Sequence, residues 1–215
     1  MTLIATTIVW TLVGVAAGYG VRVLSVWLAR KEGLDPGFER WKVIGPPVAT
    51  AIFFGAFGFL IGPHPYLLLA SLWCALLVQV IFFDLEYRLI LDRLIFPSMA
   101  LALVLSLFRT PWWAGLATGV AAGLLFLLIA VLGSVLMKAE AMGFGDVKFA
   151  AFVGLLLGFP GAVSALFLGV VLAGIVAFLA VILRAVALKG SLAYGPYLAL
   201  GTIIVLYQYA LGPPS

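Results

Sequence analysis

Charge is scarce in this 215-residue sequence: 9% of residues are charged and 66% are hydrophobic. A soluble domain carries roughly 25% charged residues. So short a chain cannot hide that much apolar surface behind so few polar groups. The scarcity excludes an ordinary water-facing fold and requires a bilayer as the solvent for most of the surface. Cysteine occurs once, at Cys74. A single cysteine excludes an internal disulfide and a paired-CxxC metal knuckle, and inside an apolar run it reads as a small packing residue. Low-complexity tracts and long soluble insertions are also lacking. The longest polar connection, about residues 31–45, is too short to be a domain.

The sequence has apolar runs long enough to span a membrane. Charges and Pro/Gly clusters divide it into eight candidate helices, near 3–28, 46–62, 66–83, 94–108, 112–137, 148–159, 161–184 and 195–211. The fold class expected is an all-α, polytopic helical bundle. It is read as one membrane domain, 1–215, made of two N-terminal helices (1–65) and a six-helix core (66–215). The first run is too long for a signal-peptide core and has no basic segment before it, so it reads as a retained span. Pro46 and Pro47 suit the start of the second helix. Gly62-Pro63-His64-Pro65 and Gly158-Phe159-Pro160-Gly161 suit tight turns. Small residues four apart, as in Gly14 and Gly18, Gly115, Gly119 and Gly123, and Gly154 and Gly158, suit close helix packing.

The net charge of +4 reports orientation, with no nucleic-acid partner expected. Alternation of the spans puts Arg30, Lys31, Arg40, Lys42, Arg88, Arg93, Lys138, Lys148, Arg184 and Lys189 on one side, and only Arg109 on the other. The basic side is expected to be cytoplasmic, with both termini outside. All eight acidic residues also fall on that side. His64, the only histidine, falls on the outer side, which excludes an inner-face Ser-His or Cys-His pair and leaves a zincin-type site without ligands. No metal and no cofactor are expected. Arg22 is expected to snorkel to the interface, and Trp112 and Trp113, like Tyr207 and Tyr209, to sit in the aromatic belt.

Two cytoplasmic segments concentrate the remaining chemistry. In Phe83-Asp84-Leu85-Glu86-Tyr87-Arg88-Leu89-Ile90-Leu91-Asp92-Arg93, Asp84 ends an apolar helix. In Glu140-Ala141-Met142-Gly143-Phe144-Gly145-Asp146-Val147-Lys148, an aspartate follows two glycines and opens another apolar run. Two carboxyls that share a proton can hydrolyse a peptide bond, one deprotonating water and the other polarising the carbonyl. The helix dipole opposes negative charge at the C-terminal Asp84 and favours it at the N-terminal Asp146, so the shared proton is expected more often on Asp84. Read by themselves, the same aspartates also fit ordinary loop charges paired with Arg88, Arg93 or Lys148. They fit a proton or cation transporter as well, since intramembrane carboxylates serve that role.

The longer strings carry a resemblance. Glu140-Ala-Met-Gly-Phe-Gly-Asp146-Val-Lys148 resembles the GxGD segment of bacterial type IV prepilin peptidases. Asp84 followed by Asp92 resembles the family's first aspartate motif, although Leu91 stands where a proline is expected. Tyr194-Gly195-Pro196-Tyr197-Leu198-Ala199-Leu200-Gly201 resembles its closing FGPxLALG segment. The resemblance covers residues from about 70 to 201. It implies an aspartic endopeptidase of the cytoplasmic membrane that removes the basic leader of a prepilin or pseudopilin at the cytoplasmic surface. Asp84 and Asp146 would be the catalytic pair, Gly143 and Gly145 would shape the backbone near the scissile bond, and Tyr194, Gly195 and Pro196 would begin a facing wall. Many members carry a CxxC domain between the first two spans and methylate the new N-terminus. The corresponding region here is about fifteen residues long without cysteine, so peptidase activity alone is expected. A basic leader is expected to be drawn to Glu86, Asp92 and Glu140, and its apolar helix to enter sideways from membrane lipid.

Overall fold

A computed structural model describes residues 2–137, 142–183 and 193–211. Among the described residues there are eight helices: α1 (Leu3–Lys31), α2 (Arg40–Ile61), α3 (Tyr66–Tyr87), α4 (Asp92–Ser106), α5 (Ala114–Met137), α6 (Phe144–Leu157), α7 (Gly161–Ile182) and α8 (Gly195–Leu211). No strand occurs among them. Five helices, α1, α2, α3, α5 and α7, are long and apolar enough to cross a membrane. Only 17% of the apolar window of α5 and 22% of that of α7 is buried, so leucines, valines and phenylalanines face outward. That distribution suits lipid, and the chain is a multi-pass helical membrane protein. Glu140, Lys138, Arg184 and Lys189 lie outside the described residues.

The chain forms two units, residues 1–87 with 206–215, and residues 88–205. In the first, α1 packs along α2, and both pack on α3. The α1–α2 approach is close because glycines face backbone. A Cβ at Gly14 would stand 2.6 Å from the Thr50 carbonyl oxygen, and one at Gly18 would stand 2.3 Å from Pro47 Cα. Pro46 and Pro47 lie inside α2, well past its start at Arg40, which corrects the expected helix boundary. Proline is tolerated within a membrane helix when its neighbours satisfy the freed backbone. One turn further on, the Thr50 hydroxyl lies within 2.7 Å of both the Pro46 and Gly14 carbonyls, which ties α2 to α1. Tyr207 packs internally, which corrects its expected belt position. Its ring stacks on Phe57 at 4.1 Å, and its hydroxyl donates to the Phe53 carbonyl at 2.6 Å.

In the second unit, α6 packs against α4, α5 and α7. At 14 residues it is about 21 Å long, short of a roughly 30 Å hydrocarbon core. It is enclosed by protein for most of its length: Phe149, Ala150, Phe152, Val153 and Leu156 are all buried. Gly154 meets Gly119 of α5 backbone to backbone, where an added Cβ would approach to 2.5 Å. Gly158 instead caps the helix with φ of 67°, a left-handed turn that glycine adopts without strain. Arg109 donates to the Leu156 carbonyl at 2.7 Å and so satisfies an orphan acceptor at the end of α6.

Candidate active site

The first unit carries Asp84. It lies in the last turn of α3 and is buried, at 5% exposure. Four consecutive residues of that helix, Phe83 to Glu86, combine apolar and acidic side chains that separate by helical geometry. Phe83 is buried and its ring meets Tyr87 at 4.6 Å, while Leu85 is exposed. Glu86, read from the sequence as a leader-attracting acid, is enclosed. Its side chain is 4% exposed and lies 3.5 Å from Arg22 of α1 and 3.2 Å from Lys42 of α2. A carboxylate countered by two cations adds little to long-range attraction of a basic peptide.

Arg22 is held by protein groups. It is 7% exposed and donates to the Pro36 carbonyl at 2.8 Å and to the Gly37 carbonyl. The Tyr87 hydroxyl donates to the Asp35 carbonyl at 2.9 Å. The short α1–α2 connection is thereby fastened to the end of the helix that holds Asp84.

The second unit carries Asp146. It is the third residue of α6 and is 8% exposed. Its backbone N–H donates to the Gly143 carbonyl at 3.1 Å, which closes the first turn. Gly143 is exposed at the N-cap position, with extended backbone. The residues before α4 pack against this turn. A Cβ at Gly145 would stand 3.0 Å from Ile90 Cβ, and Lys148 donates to Asp92 Oδ1 at 2.5 Å. Lys148 also lies 5.2 Å from the Phe96 ring and 5.0 Å from the Phe144 ring.

Asp92 begins α4, where its charge meets the helix N-terminus favourably. The segment before it turns through Arg88 at φ 53° and reaches extended backbone at Leu91, without the proline that the resemblance led one to expect. In the same unit, Tyr194 is partly exposed ahead of α8, and Gly195 and Pro196 are buried in its first turn. Gly169 of α7 lies against Leu198, where an added Cβ would come within 2.6 Å of its Cα. Among the described residues, no three His, Cys, Asp or Glu side chains group as a metal site.

The fold and these residues define a class: a polytopic helical membrane protein with one buried aspartate at the end of a long helix and another at the start of a short one. Within that class, the chain belongs to the type IV leader peptidase family, whose sequence pattern matches residues 71–179, a stretch that contains both Asp84 and Asp146. It is 32% identical over 165 residues to a prepilin leader peptidase/N-methyltransferase of Bacillus subtilis (strain 168). That alignment covers 75% of this chain and 64% of the relative, so the chain spans a little under two thirds of that protein's length. No solved structure matches.

Proposed function

We propose that the chain is a membrane aspartic endopeptidase that removes the leader of prepilin-like proteins at the cytoplasmic membrane face. The observation that carries the reading is the family match across both aspartates, each of them buried in a terminal helical turn. Aspartic hydrolysis needs one ionised carboxylate to take a proton from water and one protonated carboxyl to polarise the scissile carbonyl. Asp84 and Asp146 fill these two roles. A protonated Asp84 is the one favoured by its place at a helix C-terminus, and an ionised Asp146 by its place at a helix N-terminus. Gly143 leaves room for an extended substrate backbone beside Asp146, and the start of α8 at Tyr194, Gly195 and Pro196 forms a second wall.

Orientation supports the cytoplasmic face. Arg30, Lys31, Arg40 and Lys42 lie at the ends of α1 and α2 that border their shared connection, and Arg88 and Arg93 flank the start of α4. The α1–α2 connection has no cysteine to hold a zinc-type element, so the reaction proposed is peptide hydrolysis without methyl transfer.

The test is cleavage of a co-expressed prepilin-like substrate by wild type, Asp84→Asn and Asp146→Asn. Each variant is expected to accumulate at the wild-type level in the membrane and to leave the substrate uncut. The mass of the wild-type product reads in the same experiment whether its N-terminus was methylated. Cleavage that survives either substitution would remove the assignment. Altered ion flux with no substrate ever cut would favour a carboxylate-based transporter.

A further inference from the structure

We propose that Arg22, Lys42 and Glu86 form a positioning device that sets the orientation of the helical turn carrying Asp84. The proposal rests on the peptidase reading and assigns a role to charges which that chemistry leaves unused.

The last turn of a helix is its weakest part, because its carbonyls have no partners further along the helix. Asp84 stands in such a turn, and the chain leaves it through Arg88 in the left-handed region. A catalytic carboxyl there needs an outside hold. Glu86 provides one. It sits two residues past Asp84, about 200° around the helix. With its carboxylate fastened to α1 through Arg22 and to α2 through Lys42, the turn cannot rotate without separating enclosed charges. Asp84 is thereby directed to the opposite side of α3. Arg22 further ties the α1–α2 connection to the same point through the Pro36 and Gly37 carbonyls, and Tyr87 adds its bond to Asp35.

Stability alone does not account for this arrangement. An enclosed ion cluster is often no more stable than the apolar residues that could replace it. Its better-attested use is to fix one geometry among several of similar energy. Nor does attraction of a basic leader account for it, since Arg22 and Lys42 outnumber Glu86 and both lie within 3.5 Å of it.

The experiment compares wild type, Glu86→Gln and Arg22→Lys in lipid nanodiscs. Two prepilin substrates are used, one with a lysine-rich leader and one with those lysines changed to glutamine. Positioning predicts that Glu86→Gln lowers kcat roughly 10- to 100-fold on both substrates alike while KM stays within about twofold, since a displacement of about 1 Å costs on that order. Arg22→Lys keeps the charge but loses the planar fork, and is expected to lose roughly 3- to 10-fold in kcat. Thermal melts score the folded fraction. If Glu86→Gln does not fold, Arg22→Lys decides the matter. Unchanged kcat per folded molecule would overturn the proposal. So would a defect confined to KM and to the lysine-rich leader, which is the signature of electrostatic steering. A wild type that cuts neither substrate would instead overturn the peptidase reading on which this proposal stands.

Discussion

Gly143 and Gly145 stand two residues apart and meet different surroundings. Among the described residues, a Cβ at Gly143 would meet only the Asp146 carboxylate, at 3.7 Å, an ordinary contact. A Cβ at Gly145 would press on Ile90 at 3.0 Å. Gly143→Ala should therefore keep the wild-type melting temperature yet cut substrate roughly tenfold more slowly, if substrate backbone passes over that position. Gly145→Ala should lower stability by about 1–3 kcal/mol, because the start of α6 and the segment before α4 must separate to admit a methyl group. Melts and initial rates of the two variants check both statements, and a stability loss at Gly143 would erase the distinction. In the sequence the two glycines look equivalent; the difference lies in Ile90, which only the tertiary fold brings near. The partners of Arg22 and Glu86 are hidden in the sequence for the same reason. A lone arginine near the end of a span reads as snorkelling by default, and its carboxylate partner lies on another helix.

At the scale of elements, hydropathy carries most of the information. All eight helices were legible from apolar runs, with the shortness of α6 among them, because lipid demands continuous hydrogen-bonded backbone and the charges mark where it may stop. The boundaries that slipped are those where protein takes the place of lipid. α2 continues back through Pro46 and Pro47 to Arg40 and packs closely on α1, with Thr50 bonded to the Gly14 carbonyl. α6 survives at 14 residues because α4, α5 and α7 enclose it and because its final carbonyls are capped. That cap is testable. Arg109→Ala leaves the Leu156 carbonyl without its charged donor. The expected cost is about 1 kcal/mol, that of an ordinary hydrogen bond and below the charge-assisted range because the arginine is exposed. Thermal unfolding in detergent reads the shift, and Arg109→Lys should recover part of it. An unshifted transition in Arg109→Ala would mean that solvent serves the carbonyl equally well.

At the scale of the whole molecule, the two candidate catalytic residues belong to different units, Asp84 to residues 1–87 with 206–215 and Asp146 to residues 88–205. Each aspartate is held within its own unit: the turn of Asp84 by Arg22, Lys42 and Glu86, and the turn of Asp146 by the Lys148–Asp92 pair and by Ile90 against Gly145. The sequence named both aspartates through short motifs, since motif spacing survives when long-range packing is invisible. It could not name their supports, which come from helices far apart in the chain. Hydrolysis by a carboxyl pair demands that both side chains reach one water molecule. A direct check replaces Asp84 and Asp146 by cysteine in a chain whose buried Cys74 has been changed to alanine. A short bis-methanethiosulfonate cross-linker, which forms a disulfide with each thiol, should join the two positions within one chain, visible as a shift in gel mobility that reduction or single-cysteine variants abolish. Prior incubation with a prepilin substrate should slow the reaction by occupying the space between the thiols. Failure to cross-link with reagents of any short length, with and without substrate, would separate the two carboxyls and leave the hydrolytic pair without a shared water.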